Sequence, residues 1–282
     1  MVNILLRSHH GSVMGRFDGK VGLITGSTQG VGEAVARRMA SEGAAGIVVC
    51  GRNRDRGTGV AAALAALGSD AIFVPVELGD ADSCKALVAA ADDRFGRIDV
   101  LVNAGALTLR GSITDTSVEL WDKMMAVNVR APFLLMQGAI AVMRRHGGGG
   151  AIVNVGSMAS HGGAPILMPY AASKAALATM TKNVAYSVAW DRIRVNCINP
   201  GWMDTPGEDV TQRRFHTDGQ DWLDEAEVGM PFGQLIKPDE VAAAIVFLAS
   251  GDAGLMTGSV VDYDQSIVGA GNAPVPRREE TL

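Results

Sequence analysis

Val21-Gly-Leu-Ile-Thr25-Gly26-Ser-Thr-Gln-Gly30-Val-Gly32 opens as a short apolar, β-prone run and passes without a break into a glycine-rich turn, after which Glu33 to Met39 read as helix. A strand, a turn of this kind and a helix make a cradle for a dinucleotide. Glycine adopts dihedrals closed to other residues and lets the main chain approach a pyrophosphate, whose charge the free N–H groups of the helix N-terminus stabilise. The spacing is Thr-Gly-x-x-x-Gly-x-Gly and not Gly-x-Gly-x-x-Gly, so the wide gap falls in the first glycine pair. Taken alone, the stretch reads equally well as an ordinary tight turn.

Strand-like runs recur between helical stretches: Gly46-Ile-Val-Val-Cys50, Ala71-Ile-Phe-Val-Pro75, Val100-Leu-Val102, Ala151-Ile-Val-Asn-Val155, Ile193-Arg-Val-Asn-Cys197 and Ser259-Val-Val261. This alternation predicts crossover units and therefore a parallel sheet covered by helices on both faces. With 282 residues and 48% hydrophobic content the chain can bury one large α/β core. Gly147-Gly-Gly-Gly150 reads as a helix stop and connector, because the run after it leads straight to Ser157.

Thirteen residues beyond Ser157 stands Tyr170-Ala-Ala-Ser-Lys174. Positions i and i+4 share one helix face, so the ammonium of Lys174 can lie beside the phenol of Tyr170. A neighbouring positive charge favours phenolate and would bring an ordinary tyrosine, with a pKa of about 10, toward the range of a working base. Such a phenol takes a proton from an alcohol or returns one to a carbonyl. Ser157, at the end of an apolar strand, is placed to hold the substrate oxygen while charge develops on it. By itself a Tyr-x-x-x-Lys pair is common on solvated helix faces.

Together with the cradle, these residues resemble the short-chain dehydrogenase/reductase family from about Gly19 to Gly271. Asn103-Ala-Gly105, Asn128 within Ala126-Val-Asn-Val129, and Asn199-Pro-Gly201 followed by Thr205-Pro206 fall in the family's order. The resemblance implies a single doubly wound (Rossmann) α/β domain over residues 18–282, preceded by an N-terminal extension, 1–17, and carrying a variable substrate lid at about 202–235. It implies that Asn128 holds a water-linked proton path to Lys174, and that Lys174 binds the nicotinamide ribose while lowering the pKa of Tyr170. Ser157 would orient the substrate oxygen and Thr205 would reach the nicotinamide carboxamide. The implied cofactor site comprises Gly26, Thr28, Gln29, Gly30, Val31 and Gly32 in the cradle, then Arg52, Glu77, Leu78, Asn103, Ala104 and Gly105, and finally Tyr170, Lys174, Pro200, Gly201 and Thr205.

Three departures stand out. Ile98-Asp-Val-Leu-Val-Asn103-Ala-Gly105 has one asparagine where the family has two, Glu77 replaces an aspartate, and the family's Asp-Gly-Gly becomes Asp264-Gln265-Ser266. After the second strand Gly51 and Arg52 stand where an acidic side chain would bind the adenosine ribose and repel a 2′-phosphate. A guanidinium with no carboxylate welcomes that phosphate, so NADP is expected over NAD. Gln29 weighs the other way, since many NADP-preferring members carry a base there.

The lid segment places Trp202 and Trp222 among carboxylates, with Arg213, Arg214 and His216, and His161 lies four residues past Ser157. Rings that cover apolar sugar faces beside charged groups that bond hydroxyls suit a sugar or polyol. His161, Trp202, His216 and Trp222 are therefore the candidate substrate contacts, although Trp222 and Phe232 also read as residues that pin the lid down. The expected activity is hydride transfer between nicotinamide and a secondary alcohol or ketone. A 3-oxoacyl-thioester reductase and an NADP-sensing regulator without turnover are the alternatives.

The remaining composition narrows the partners to a small molecule. Net charge is −5, from 25 basic and 30 acidic residues without a basic cluster fit for nucleic acid. Cys50, Cys84 and Cys197 lack metal-ligand spacing and read as core residues in a reducing compartment; no metal is expected. The opening Met1-Val-Asn-Ile-Leu-Leu6 is too short for a signal peptide, and no later stretch reads as a membrane span, which points to the cytoplasm. His9 and His10 read as solvated. Apolar helical stretches near 118–145 and 165–190, where the family packs into dimers and tetramers, imply a homo-oligomer.

Overall fold

The computed structural model describes residues 15–215 and 222–269. Seven strands among them form one parallel sheet: β1 (Val21–Thr25), β2 (Gly46–Gly51), β3 (Asp70–Pro75), β4 (Val100–Asn103), β5 (Gly150–Val155), β6 (Ile193–Pro200) and β7 (Val260–Tyr263), in the order β3-β2-β1-β4-β5-β6-β7. Chain direction across the sheet reverses between β1 and β4. At such a switch point the carboxyl ends of the strands leave a crevice. β1, β4, all but the last residue of β2 and all but the first of β5 are buried because helices cover both faces, leaving no side for alternating polar residues.

One face packs α1 (Gly30–Ser41), α2 (Arg54–Ala66) and α9 (Pro238–Ala249) through Val35, Met39, Leu64, Val241 and Ile245. The other packs α3 (Ala81–Phe95), α5 (Ala131–His146) and α6 (Met168–Ser187) through Leu87, Leu135, Met136, Met143 and Ala185. Asp80 caps α3 by accepting from the Asp82 amide at 3.1 Å, and Gly96 ends it in the left-handed region. Gly147, also left-handed, stops α5 just before β5, as the tetraglycine predicts. The lid contributes α7 (Pro206–Phe215) and α8 (Trp222–Val228).

Three expectations are corrected here. Phe17 is 1% exposed and packs in the α1 face of the core, its amide bonded to the Glu42 carbonyl at 3.0 Å, so the extension ends earlier than residue 17. Residues 1–14, with His9 and His10, lie outside the described residues. The stretch near 118–145 is not one regular helix: α4 (Val118–Met125) and α5 are joined by a π turn, Ala126–Arg130. That continuous run, Val118–His146, is by length and composition apolar enough to cross a membrane, contrary to the sequence reading, and half of its most apolar window is buried inside the protein. Burial against the sheet is what a core helix does with such side chains.

Candidate active site

The cradle closes where β1 meets β4. Thr25 Oγ1 accepts from the Gly105 amide at 2.9 Å, and Ser27 Oγ joins the ends of β1 and β2, donating to the Ile24 carbonyl (2.6 Å) and accepting from the Cys50 amide (2.9 Å). Gly26 has φ +65°, and a Cβ there would sit 2.7 Å from the Cα of Gly105; one on Gly32 would sit 2.6 Å from the Gly26 carbonyl oxygen. Only bare backbone fits. Gln29, at the N-cap of α1, makes no side-chain cap bond, which leaves the first-turn N–H groups available to an anion. Above them lies a cavity of about 1050 Å³. That volume reaches the upper end of small-ligand sites, so a dinucleotide fits beside a small substrate.

Gly26, Thr28, Gln29, Gly30, Val31 and Gly32 line this cavity, as do Arg52, Glu77, Leu78, Ala104 and Gly105. Pro200, Gly201 and Thr205 close it from the β6 side. Asn103 does not join them. Its Nδ2 donates to Asn154 Oδ1 at 2.8 Å, its register neighbour on β5, and Asn154 donates onward to Thr181 Oγ1 at 2.9 Å. The Glu77 carboxylate is partly spent on its own turn, accepting from the Gly79 amide at 3.3 Å. Gln29 Oε1 accepts from Arg56, a cavity-lining cation that the sequence reading passed over although it belongs to the basic run after Arg52.

β5 delivers Ser157 at its carboxyl end, where the residue caps a single 3-10 turn, Met158–His161, its Oγ accepting from the Ala159 amide at 3.1 Å. The Ser157 amide in turn donates to Asn199 Oδ1 at 3.1 Å. Tyr170, in the first turn of α6, lines the same cavity as Ser157, near enough for the serine hydroxyl to draw the phenol pKa down. Lys174, one turn on and 3% exposed, donates from Nζ to the Val155 carbonyl at 2.7 Å and lies 5.6 Å from the Tyr170 ring centroid. Ser157, Tyr170 and Lys174 all line this one cavity.

Their protonation differs from expectation. Burial pushes the Tyr170 phenol above its ordinary value, and the Glu208 charge adds to this, while the Ser157 hydroxyl and the Arg110 charge pull it down. The expected lowering by Lys174 is outweighed, since Nζ is drawn to a backbone carbonyl and burial lowers the lysine itself to about 8. Asn128 sits inside the π turn, 1% exposed. Its Oδ1 accepts from the Leu107 amide (2.8 Å), and its Nδ2 faces the Leu107 carbonyl (2.9 Å) and Ser173 Oγ (3.0 Å), so its side chain engages a loop and α6 and not Lys174.

Of the expected substrate contacts, Trp202 lines the cavity. Trp222 does not: it is 5% exposed, packs against Ala226 and Leu235, bonds Asp209 Oδ1 at 2.9 Å and stacks under Trp202 with centroids 6.0 Å apart. Its role is to pin the lid. His161 turns to Asp262, Nε2 at 2.9 Å from Oδ1, because β7 presents a carboxylate at that level. His216 lies outside the described residues. Arg110 and Glu208, a cavity-lining pair 3.6 Å apart, were not singled out as contacts by the sequence.

A family model described as enoyl-(acyl carrier protein) reductase matches residues 26–265. A 3beta-hydroxysteroid dehydrogenase of Mediterraneibacter gnavus is 36% identical over 269 residues, covering 90% of this chain and 96% of the relative. Dehydrogenase/reductase SDR family member 4 of Bos taurus is 36% identical over 250 residues, 86% and 85% of the two chains. The chain belongs to the short-chain dehydrogenase/reductase family. It is a nicotinamide-dependent oxidoreductase acting on hydroxyl and carbonyl groups. Among solved structures of the family, L-sorbose reductase from Gluconobacter frateurii complexed with NADPH and L-sorbose superposes with a TM-score of 0.83 at 32% identity, over 91% of this chain and 99% of that one.

Proposed function

We propose that Tyr170 moves the proton in this oxidation and reduction, that Ser157 holds the substrate oxygen, and that the substrate is a small polyhydroxylated alcohol or ketone handled with NADP(H). The observation that carries the reading is the convergence of Ser157 and Tyr170 on one cavity wall, where the serine hydroxyl favours the phenolate, with Lys174 packed beneath the ring. When bound, the nicotinamide supplies the hydride acceptor or donor. The Tyr170 oxygen accepts the hydroxyl proton as an alcohol is oxidised and returns it to the carbonyl oxygen on reduction. Ser157 donates to that oxygen while its charge changes. Lys174 offers its ammonium to the cofactor ribose, and Asn128 fixes the distance between the loop at Leu107 and α6 through Ser173.

NADP is favoured because Arg52 and Arg56 both line the cavity beyond β2, and among the described residues its lining there, Gly51, Arg52, Asn53 and Arg56, includes no carboxylate to repel a 2′-phosphate. NADPH in the sorbose reductase supports the same choice. A polyhydroxylated substrate is favoured by the Trp202 ring beside Glu208, Arg110 and Gln212. The matching family model favours a second reading, an acyl-carrier thioester. Turnover of sugars, polyols and 3-oxoacyl thioesters, followed by nicotinamide absorbance with both cofactors, separates the two. Activity confined to the thioester overturns the polyol reading.

We also infer a homo-oligomer formed through α4, α5 and α6, supported by the outward-facing Val118, Phe133 and Tyr186. The three buried, unpaired cysteines support a reducing, cytoplasmic setting.

A further inference from the structure

Beside Tyr170 the cavity carries a charge pair assembled from two separate segments. Arg110 lies on the loop after β4, and that loop is tied to the entry of α6: the Gly111 amide donates to the Ile166 carbonyl at 2.9 Å and the Met168 amide to the Gly111 carbonyl at 3.1 Å. Glu208 lies in the first turn of α7, its amide bonded to Thr205 Oγ1 at 3.1 Å. Arg110 Nη2 stands 3.6 Å from Glu208 Oε1, with both side chains 17% exposed. Both charges act on the Tyr170 phenol, Glu208 pushing its pKa up and Arg110 pulling it down. The pair lines the same cavity as Tyr170 and Ser157.

Glu208 is also held in a fixed attitude. Its Oε1 accepts from Trp202 Nε1 at 2.9 Å and from Gln212 Nε2 at 2.6 Å, and Trp202 is stacked on the buried Trp222. Among the described residues every hydrogen bond to this carboxylate falls on Oε1, so this cavity-lining residue keeps acceptor capacity on Oε2. An apolar substrate would strip water from a half-buried carboxylate and return no bond. An anionic substrate would meet Glu208 as a like charge. A hydroxyl satisfies both partners, donating to the carboxylate and accepting from the guanidinium.

We propose that Glu208 and Arg110 select substrates that carry a hydroxyl on the carbon next to the reacting one, with Glu208 Oε2 accepting from that hydroxyl and Arg110 donating to its oxygen. The inference rests on Tyr170 being the proton-moving group, and it makes α-hydroxy ketones and vicinal diols the preferred class. The test compares 2-hydroxycyclohexanone with cyclohexanone, a matched pair differing by one hydroxyl, in the full-length enzyme with NADPH. Wild type is expected to favour the hydroxy ketone in kcat/KM by about tenfold or more, as a hydrogen bond to a charged group would give. In Glu208→Gln that ratio should fall about tenfold whatever the absolute rates, because a ratio is insensitive to the fraction of folded enzyme.

Arg110→Gln, on a different segment, gives an independent arm if the first variant folds poorly; it should lower the ratio in the same direction. A ratio unchanged in either soluble variant overturns the assignment. So does a wild type that turns over both ketones without preference, which leaves the proton-transfer reading intact. If Tyr170→Phe reduces either ketone as fast as wild type, the underlying reading falls instead.

Discussion

The Lys174 ammonium donates to the Val155 carbonyl at 2.7 Å, and that bond, formed on the strand leading to Ser157, fixes where the charge lies beneath the Tyr170 ring. The lysine is buried for function and against stability. Its folded pKa of about 8 stands below the ordinary 10.5, so the folded state resists protonation and the unfolded state binds more protons between those values. Wild-type stability therefore rises with pH across that window, by about 3 kcal/mol in all. Lys174→Met should lack this rise. Denaturant midpoints of both proteins at pH 8 and pH 10 check it, and a constant difference between them would contradict the burial effect.

Tyr170→Phe should reduce turnover by about a thousandfold or more while NADPH binding, followed by fluorescence, changes little. Burial raises the phenol pKa, so deprotonation in the cofactor-free protein should begin later than for an ordinary tyrosine. The ultraviolet titration of wild type minus that of the variant should then give a midpoint above about 10. A midpoint below that value would show that Lys174 dominates after all.

Arg52→Gln combined with Arg56→Gln should raise the KM for NADPH by about tenfold to a hundredfold, the size expected for losing charge-assisted bonds to a phosphate. The KM for NADH should move far less. An equal rise for both cofactors would assign the two arginines to something other than the 2′-phosphate.

Gly156 precedes Ser157, and a Cβ there would stand 2.0 Å from Asn199 Oδ1 and 2.8 Å from Cys197 Sγ. Gly156→Ala must push aside the group that receives the Ser157 amide. The expected result is a loss of about 1–3 kcal/mol in stability together with a lower kcat, read by calorimetry and steady-state rates. Wild-type kcat in a folded variant would show that Asn199 does not position the serine.

Much of this architecture is legible along the chain because its signals are local. Apolar runs such as Gly46-Ile-Val-Val-Cys50 mark strands, and Tyr170 and Lys174 are placed by helix geometry alone. What escaped the sequence depends on partners far away. Asn103 turns from the cavity because Asn154, 51 residues on, is its neighbour in register, and His161 is taken by Asp262, 101 residues on. Arg110 sits in a loop with no periodicity to mark it, and only the fold brings Glu208 to it. Trp222 looked like a ligand contact and is a lid anchor, a distinction that burial decides and aromaticity does not.

The π turn at Ala126–Arg130 inserts extra backbone into an otherwise regular rod, and it is there that Asn128 reaches Leu107. Removing one residue from this stretch would restore uniform pitch and abolish the widened turn from which Asn128 reaches Leu107. Asn128 would then release the segment that carries Arg110 three positions later. An engineer who smoothed this irregularity for thermal robustness would obtain a sturdier scaffold with its recognition loop set adrift.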